Sequence, residues 1–211
     1  MKKFISYGKN VYDKAEINAV TATLKKSTQM GKAVSMFENK ISKIFGKKYG
    51  LMVNSGSSAL ILALKSLNLK NGSEVITPCL NFGTAISSII LNNLVPILVD
   101  VDIRTLQINP DLIQKKITKK TKAILIPNLI GNIPDWEKIK QIAKKNKLII
   151  IEDSADTLGA KIKNKPTGQF SDVSITSFYG SHVISCAGNG GMLLTSNKNI
   201  FLKSKVLRSW G

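Results

Sequence analysis

Three side chains that could do acid–base or hydrogen-bonding chemistry follow segments with the composition of β-strands. Asp153 ends the apolar run IIIED, and Ser177 and His182 come after the run DVSIT. In open α/β sheets, ligands bind at the edge formed by the carboxyl ends of the strands. We therefore expect these side chains at that edge, where the imidazole of His182, the chain's only histidine, could act as a general base near neutral pH.

A glycine turn and an aromatic residue complete this group. In VNSGSSAL a predicted strand turns through Gly56 into a helix, so the N–H groups of Gly56, Ser57 and Ser58 would lie at a helix N-terminus, which favours a phosphate. Phe82 follows the predicted strand SEVITPCL and could lay its face against a ring. With the Asp153 carboxylate for a ring nitrogen, these residues predict a pocket for a pyridoxal-type coenzyme.

Each of these residues also has an ordinary structural interpretation. Strand–glycine–helix turns without a ligand are common, Asp153 could cap a helix or form a structural ion pair, and Phe82 could belong to the core. A histidine with no second His or Cys nearby is usually a partly buried side chain that has a hydrogen-bond partner. The residues alone leave these alternatives open.

The elements that must position these residues alternate along the chain. From about Tyr49, short β-rich runs alternate with segments of helical periodicity, which predicts an α/β fold with a mostly parallel sheet and helices on both faces. Asp135 is the predicted N-cap of the helix DWEKIKQIAKKNK. In the loop between the predicted strands DVSITSFY and GGMLLTS, His182 precedes a cluster of glycines.

The first residues differ from this alternation. Two amphipathic helices are predicted, in DKAEINAVTATLKKS and SMFENKISKIFGKKY, and the second aligns Phe37, Ile41 and Phe45 along one side. We divide the chain into an N-terminal helical segment, residues 1–48, and a coenzyme-binding large domain, residues 49–211. We expect that domain to be incomplete, because its last helix stops without a closing element.

Composition excludes several classes of function. The net charge of +18 comes almost wholly from scattered lysines, and aromatic residues are only 6%, which disfavours a nucleic-acid surface but suits an anionic substrate. No apolar run reaches the ~20 residues of a membrane span, and the N-terminal apolar stretch is too short for a secretory signal, so we expect a cytoplasmic protein. Cys79 and Cys186 lack metal-ligand spacing, and we expect buried structural thiols and no metal.

Six segments in order resemble the vitamin-B6-dependent sugar aminotransferases of the DegT/DnrJ/EryC1/StrS family. They are NSGSSAL, EVITPCLNFGTAI, PILVDVD, KAILIPNLIGN, IEDSADTLGA and SFYGSHVISCAGNGG. The resemblance runs from about the first helix to the last residue, and the combination is specific although no single segment is. It implies the fold-type-I large domain, which is aspartate-aminotransferase-like.

The resemblance assigns roles to the candidate residues. Gly56 and Ser57 are expected to hold the coenzyme phosphate together with the Ser177 hydroxyl. Phe82 is expected to stack on the ring, and Asp153 to pair with the pyridine nitrogen. Asp156 falls where relatives often place Gln or His near the ring oxygen, and we count it with the cofactor-binding residues.

One departure from the aminotransferase pattern changes the expected chemistry. The loop after SFY carries the Schiff-base lysine in aminotransferases, but here that position is His182, which cannot form the imine. The chain therefore resembles the histidine-for-lysine branch, the 3-dehydratases of nucleotide-linked 4-keto-6-deoxyhexoses that lead to 3,6-dideoxysugars of surface polysaccharides. That branch uses pyridoxamine phosphate without a covalent bond to the protein, and His182 would serve as the general base.

A second departure bears on how the coenzyme is recharged. In members of this branch with an iron–sulfur cluster and a partner reductase, a cysteine is expected where this chain has Ala155. Ala155 favours the cluster-free type, which uses glutamate as amino donor, although SFYGSHVI itself is close to the cluster-bearing group. The resemblance also implies a homodimer with residues shared across the interface, so we expect the 211-residue chain alone to be inactive.

Two other hypotheses remain open on the sequence. A sugar aminotransferase would share the coenzyme pocket but would need a lysine acting from an unexpected position. A non-catalytic truncated homologue would keep the fold without turnover.

Overall fold

Strands and helices alternate along the chain in the order that the sequence predicts. A computed structural model describes residues 5, 11–27 and 29–209. The helices in these residues are α1 (Lys14–Lys26), α2 (Lys32–Ile44), α3 (Gly56–Ser66), α4 (Gly83–Leu91), α5 (Pro110–Lys116), α6 (Trp136–Asn146) and α7 (Lys198–Arg208), with short 3-10 helices at Leu129–Gly131 and Thr167–Phe170. The strands are β1 (Tyr49–Val53), β2 (Glu74–Pro78), β3 (Val95–Val99), β4 (Thr121–Pro127), β5 (Ile149–Asp153), β6 (Lys161–Ile162), β7 (Lys165–Pro166), β8 (Val173–Ser177) and β9 (Gly191–Thr195).

The main sheet is mostly parallel, as predicted. Its strand order is β1-β9-β8-β5-β4-β2-β3, and the pairings among β3, β2, β4, β5 and β8 are parallel. Strand β9 is antiparallel to both of its neighbours, β1 and β8. The connection 178–190 contains no helix, and a strand that returns without a crossover pairs antiparallel with the strand before it.

Helices cover both faces of the sheet because its central strands are apolar on both sides. Along β4, Ala123 and Leu125 join the core under α3, α4 and α7, whereas Ile124 and Ile126 join the core under α5 and α6. This alternation is the two-residue period of a strand. The near-continuous apolar runs of the sequence therefore mark strands that are buried on both faces.

The two N-terminal helices form as predicted, with different degrees of burial. Helix α1 begins after Asp13, which forms a capping box with Glu16, and it has no buried residue. Helix α2 packs on β1 and β9 through Phe37, Ile41 and Phe45, which confirms the predicted apolar side. Phe45 is the C-cap of α2, so the helix ends earlier than the predicted segment.

The structure also corrects several sequence predictions. The predicted strand KAILIPNLIG ends at Pro127, and a 3-10 turn replaces its last residues. The hairpin of β6 and β7 was not predicted; its turn residues Lys163 and Asn164 both have positive φ, as two-residue hairpin turns require. The expectation of buried thiols is wrong for Cys79, which is exposed after β2, and Cys186 is half-buried.

In the part of the chain that the structure describes, none of the helices has the length and apolar character needed to cross a bilayer.

A tight backbone contact joins the start of β9 to the turn between β1 and α3. A Cβ added at Gly191 would overlap the carbonyl of Ser55, which is the residue before α3. We expect Gly191→Ala to destabilise the fold by about 1–3 kcal/mol, because backbone atoms cannot rotate away as a side chain can. Urea unfolding measures this change.

Gly83→Ala is the matched control, because a Cβ there meets no atom within 4 Å and Gly83 starts α4. The control should be neutral or slightly stabilising, since alanine favours a helix. Equal stabilities for the two variants would contradict the importance of the contact.

Candidate functional site

A cavity of about 740 Å³ lies at the carboxyl ends of the parallel strands. Strands β2, β4, β5 and β8 end at its wall, which places the residues after each strand around one space. The structure brings together all seven residues singled out in the sequence, and all of them line this cavity: Gly56, Ser57, Phe82, Asp153, Asp156, Ser177 and His182.

One wall of the cavity is the N-terminus of α3. Ser55 is the N-cap, and its Oγ accepts the Ser58 N–H at 3.1 Å. The Ser58 amide is therefore not free for a phosphate, contrary to the prediction. The N–H groups of Gly56 and Ser57 have no acceptor among the described residues. Two free N–H groups at the positive end of a helix dipole are suited to an anion.

The Ser177 hydroxyl lies directly beside these two amides. A Cβ added at Gly56 would come within 2.8 Å of the Ser177 Cβ, so only glycine lets the helix start this close to β8. Ser177 Oγ accepts the Tyr179 N–H at 3.3 Å, which leaves its own proton available to donate. Gly56, Ser57 and Ser177 therefore form a cup of donors of the kind that holds a phosphate.

Asp153 is a buried carboxyl without a cationic partner among the described residues. Its side chain is 6% exposed and accepts a hydrogen bond from the Ala155 N–H at 3.0 Å. Burial, opposed by that hydrogen bond and reinforced by the charges of Asp156 and Glu152, raises the pKa of Asp153 to about 7. Asp153 neither caps a helix nor forms an ion pair, so both structural interpretations are wrong for it.

Phe82 stands at the rim of the cavity with its ring in the open. It is the N-cap residue of α4 and is 72% exposed, so the core interpretation is wrong. The Asn81 side chain accepts the Phe82 N–H at 2.8 Å and donates to Thr77 at 3.0 Å, which fixes the backbone here. The ring therefore has a face free for a flat ligand.

His182 lines the same cavity as these groups. Its Nε2 is 3.8 Å from Asp156 Oδ1, an ion-pair distance, and its ring meets the Tyr179 ring edge-on at 5.8 Å. Its Nδ1 is buried without a hydrogen-bond partner in the described residues. The imidazole is partly buried, but among the described residues neither ring nitrogen has the hydrogen-bond partner that a structural histidine would have.

Sequence reasoning missed Asn128, which supports the floor of the site. Its side chain donates to Glu152 and Ser154 and accepts from the Trp136 indole, while its N–H donates to the Asp153 carbonyl. Asn128 directly follows β4, so the signal that identified Asp153, a polar residue at a strand end, was present for it too. The N-cap role of Ser55 was also missed.

The residues present fit a pyridoxal-type coenzyme. The free amides and the Ser177 hydroxyl suit its phosphate, and the exposed Phe82 ring suits its ring. Asp153, buried and without a cation, suits its protonated ring nitrogen. In the described residues, His, Cys, Asp and Glu form no group of three that could hold a metal.

The raised pKa of Asp153 makes stability depend on pH. The folded chain without a ligand holds the Asp153 proton until about pH 7, whereas the unfolded chain loses it near pH 4, so ionisation costs stability as the pH rises between these values. We expect Asp153→Asn to match the wild type near pH 4 and to exceed its stability above about pH 7, by up to about 4 kcal/mol.

Urea unfolding of the cofactor-free chain at several pH values measures this difference. Asp111→Asn is the control, because it removes an exposed carboxylate outside the cavity that pairs with Lys138. The control should follow the wild-type pH dependence. Parallel curves for the wild type and Asp153→Asn would contradict the prediction.

Comparisons with known proteins identify relatives of the chain. Residues 10–211 match the DegT/DnrJ/EryC1/StrS aminotransferase family. The dTDP-4-dehydro-2,6-dideoxy-D-glucose 3-dehydratase of Saccharopolyspora spinosa is 36% identical over 200 residues, which cover 91% of this chain and 43% of the relative. The GDP-perosamine synthase of Escherichia coli O157:H7 is 39% identical over 171 residues, which cover 81% of this chain and 47% of the relative.

Solved structures confirm the predicted fold. The E. coli GDP-4-keto-6-deoxy-D-mannose-3-dehydratase with bound hydrated PLP has a TM-score of 0.87 and 32% identity, covering 92% of this chain and 51% of that one. A GDP-4-keto-6-deoxymannose-3-dehydratase with a trapped PLP-glutamate geminal diamine has a TM-score of 0.91 and 31% identity, covering 97% and 54%. The chain spans about half the length of the relatives it matches, and it belongs to the DegT/DnrJ/EryC1/StrS aminotransferase family.

Proposed function

We propose that the protein is a pyridoxamine-phosphate-dependent 3-dehydratase of a nucleotide-diphosphate-linked 4-keto-6-deoxyhexose, in 3,6-dideoxysugar biosynthesis. The proposal rests on which side chains line the cavity. Among the described residues that line it, there is one histidine, His182, and no lysine. An imidazole cannot form an imine with the coenzyme, but it can move a proton at neutral pH.

The chain's own residues supply the binding and the proton transfer. Gly56, Ser57 and Ser177 hold the phosphate, Phe82 covers the ring, and Asp153 keeps the ring nitrogen protonated. When bound, the coenzyme supplies the amine that condenses with the 4-keto group and the ring that accepts electrons. His182 takes the proton from the aminomethyl carbon as the 3-hydroxyl leaves, and can return a proton to that hydroxyl.

Asp153 is prepared for its role by its burial. Burial raises the pKa of the Asp153 carboxyl to about 7, which means that its negative charge is costly when no cation is near. The protonated ring nitrogen of the bound coenzyme would remove that cost. Coenzyme binding and ionisation of Asp153 are therefore coupled, and the ion pair forms at a residue that is 6% exposed.

A sugar aminotransferase is the second candidate, and the identity to a GDP-perosamine synthase favours it. An aminotransferase would need a lysine that reaches the coenzyme, whereas the described cavity wall has none. The coenzyme pocket is common to both candidates. The product of the reaction therefore distinguishes them, since only a dehydratase removes the 3-hydroxyl.

The partners follow from the same proposal. The substrate is anionic, and the net charge of +18 favours its approach. With Ala155 beside Asp153 where a cluster ligand would be a cysteine, we propose glutamate as the amino donor and no reductase. We further propose that the whole protein is a homodimer.

The sugar that the complete gene product forms tests the proposal. We expect it, mixed with pyridoxamine phosphate and a CDP- or GDP-linked 4-keto-6-deoxyhexose, to remove the 3-hydroxyl, and glutamate to sustain turnover. Mass spectrometry of the sugar measures both. His182→Gln should bind the coenzyme and lose dehydration by about 10²-fold or more. An amino sugar that keeps its 3-hydroxyl would establish the aminotransferase instead.

The isolated 211-residue chain gives a separate prediction. We expect it to bind pyridoxamine phosphate, because the phosphate cup, Asp153 and Phe82 are all present, but to give no sugar turnover. Fluorescence of the coenzyme measures binding, and the product assay measures turnover. Turnover by the isolated chain would contradict this expectation.

A further inference from the structure

The carboxylate of Asp156 contacts two groups that follow different strands. Oδ1 lies 3.8 Å from His182 Nε2, in the loop after β8. Oδ2 accepts the Ile130 N–H at 3.2 Å, in the turn after β4. Asp156 itself follows β5, so this one side chain connects the ends of three neighbouring strands beside the cavity.

The Ile130 contact fixes the direction of the Asp156 side chain. Ile130 has φ +52° and ψ +32°, a left-handed conformation that is costly for a β-branched residue. Its N–H donates to the carboxylate from that conformation, and the Gln107 side chain donates to the preceding carbonyl of Leu129 at 3.1 Å. The turn is therefore held in place, and it aims the second carboxylate oxygen at the imidazole.

The imidazole has few other constraints. Nδ1 has no hydrogen-bond partner in the described residues, and the Tyr179 ring gives only an edge contact. The His182 N–H donates to the Tyr179 carbonyl at 2.9 Å, which fixes the backbone but not the ring. Asp156 is thus the polar group that can fix how the ring is turned.

We propose that Asp156 is the positioning residue of His182: its carboxylate holds the ring with Nε2 turned toward Asp156 and stabilises the positive charge that forms when His182 takes a proton. This inference rests on the proposed function. The 3.8 Å separation exceeds a hydrogen bond, and such contacts in ligand-free sites shorten when the substrate is bound.

Asp156→Asn separates the two contacts of the carboxylate. The asparagine oxygen can still accept the Ile130 N–H, but it has no charge to offer the imidazole. We expect kcat for dehydration by the complete gene product to fall about tenfold or more, with KM unchanged. Asp156→Glu, which keeps the charge, should recover part of the loss. A change in KM alone, or equal losses in both variants, would overturn the proposal.

A second measurement does not depend on the reaction. His182 is the only histidine of the 211-residue chain, so its imidazole gives a single set of ¹⁵N signals. At one pH near neutrality, we expect the Nε2 signal of Asp156→Glu to lie near that of the wild type and the Nε2 signal of Asp156→Asn to differ from both, because Nε2 is the nitrogen that faces the carboxylate. Asp111→Asn, which removes an exposed carboxylate outside the cavity, should resemble the wild type.

The two measurements distinguish a failure of the proposed function from a failure of the positioning role. If the complete gene product forms an amino sugar, the proposed dehydratase function is wrong, but the ¹⁵N signals still decide whether Asp156 acts on His182. If the gene product dehydrates its substrate and Asp156→Asn leaves both kcat and the ¹⁵N signals unchanged, the positioning role is wrong and the proposed function stands.

Discussion

The parallel pairing of β5 with its two neighbours is the constraint on which the site depends. Pro127 pairs with Asp153, and Asp153 pairs with Ile175, so three strands end within about two residues of one another. The polar residues that follow them, Asn128, Asp156 and Ser177, therefore reach the same cavity. A change of register by one residue would turn Asp153 to the opposite face of the sheet.

Two adjacent carboxyl groups at the end of β5 show how the chain separates stability from binding. Glu152 is fully buried, and its carboxylate accepts hydrogen bonds from the side chains of Asn128, Ser154, Ser171 and Ser174. Its neighbour Asp153 is almost as buried but has one backbone donor. Buried polar groups are normally satisfied, so an acid left with one donor is best explained by a ligand that completes it.

The elements that depend on local periodicity were predicted from the sequence. The strands, the helices on both faces and the Asp135 cap of α6 follow from residues close together in the chain, and the structure has all of them. The seven site residues could be placed at one edge because polar residues at strand ends converge in a parallel sheet. The sequence predicted a glycine turn at Gly56. The reason that glycine is needed there appears only in the structure, because the atom that a Cβ at position 56 would meet is Ser177 Cβ, far along the chain.

What the sequence could not predict depends on contacts between distant residues. The hydrogen bond between Asp156 and Ile130 joins residues 26 positions apart and appears only when the loops are placed, whereas the bond from the Ser58 N–H to the Ser55 hydroxyl is a local helix cap. Asn128 follows β4 directly, so its position at a strand end was visible in the sequence, but an amide does not titrate and was not counted among the candidate acid–base residues. Cys79 was wrongly predicted to be buried, because the composition of the chain does not show whether a residue just after a strand faces the core or the solvent.

The loop that carries His182 is held by hydrogen bonds within it, such as the one from the Cys186 N–H to the Phe178 carbonyl at 3.2 Å. Phe178 is buried and donates its N–H to the Gly190 carbonyl at 2.8 Å, which closes the loop before β9. Between these residues no helix or strand forms, so the identity of residue 182 is free to change without loss of the sheet. Under the proposed function, a proton-transferring side chain takes the place of an imine-forming one in this loop while the coenzyme pocket is kept, because the fold fixes the pocket and the loop residue fixes the chemistry.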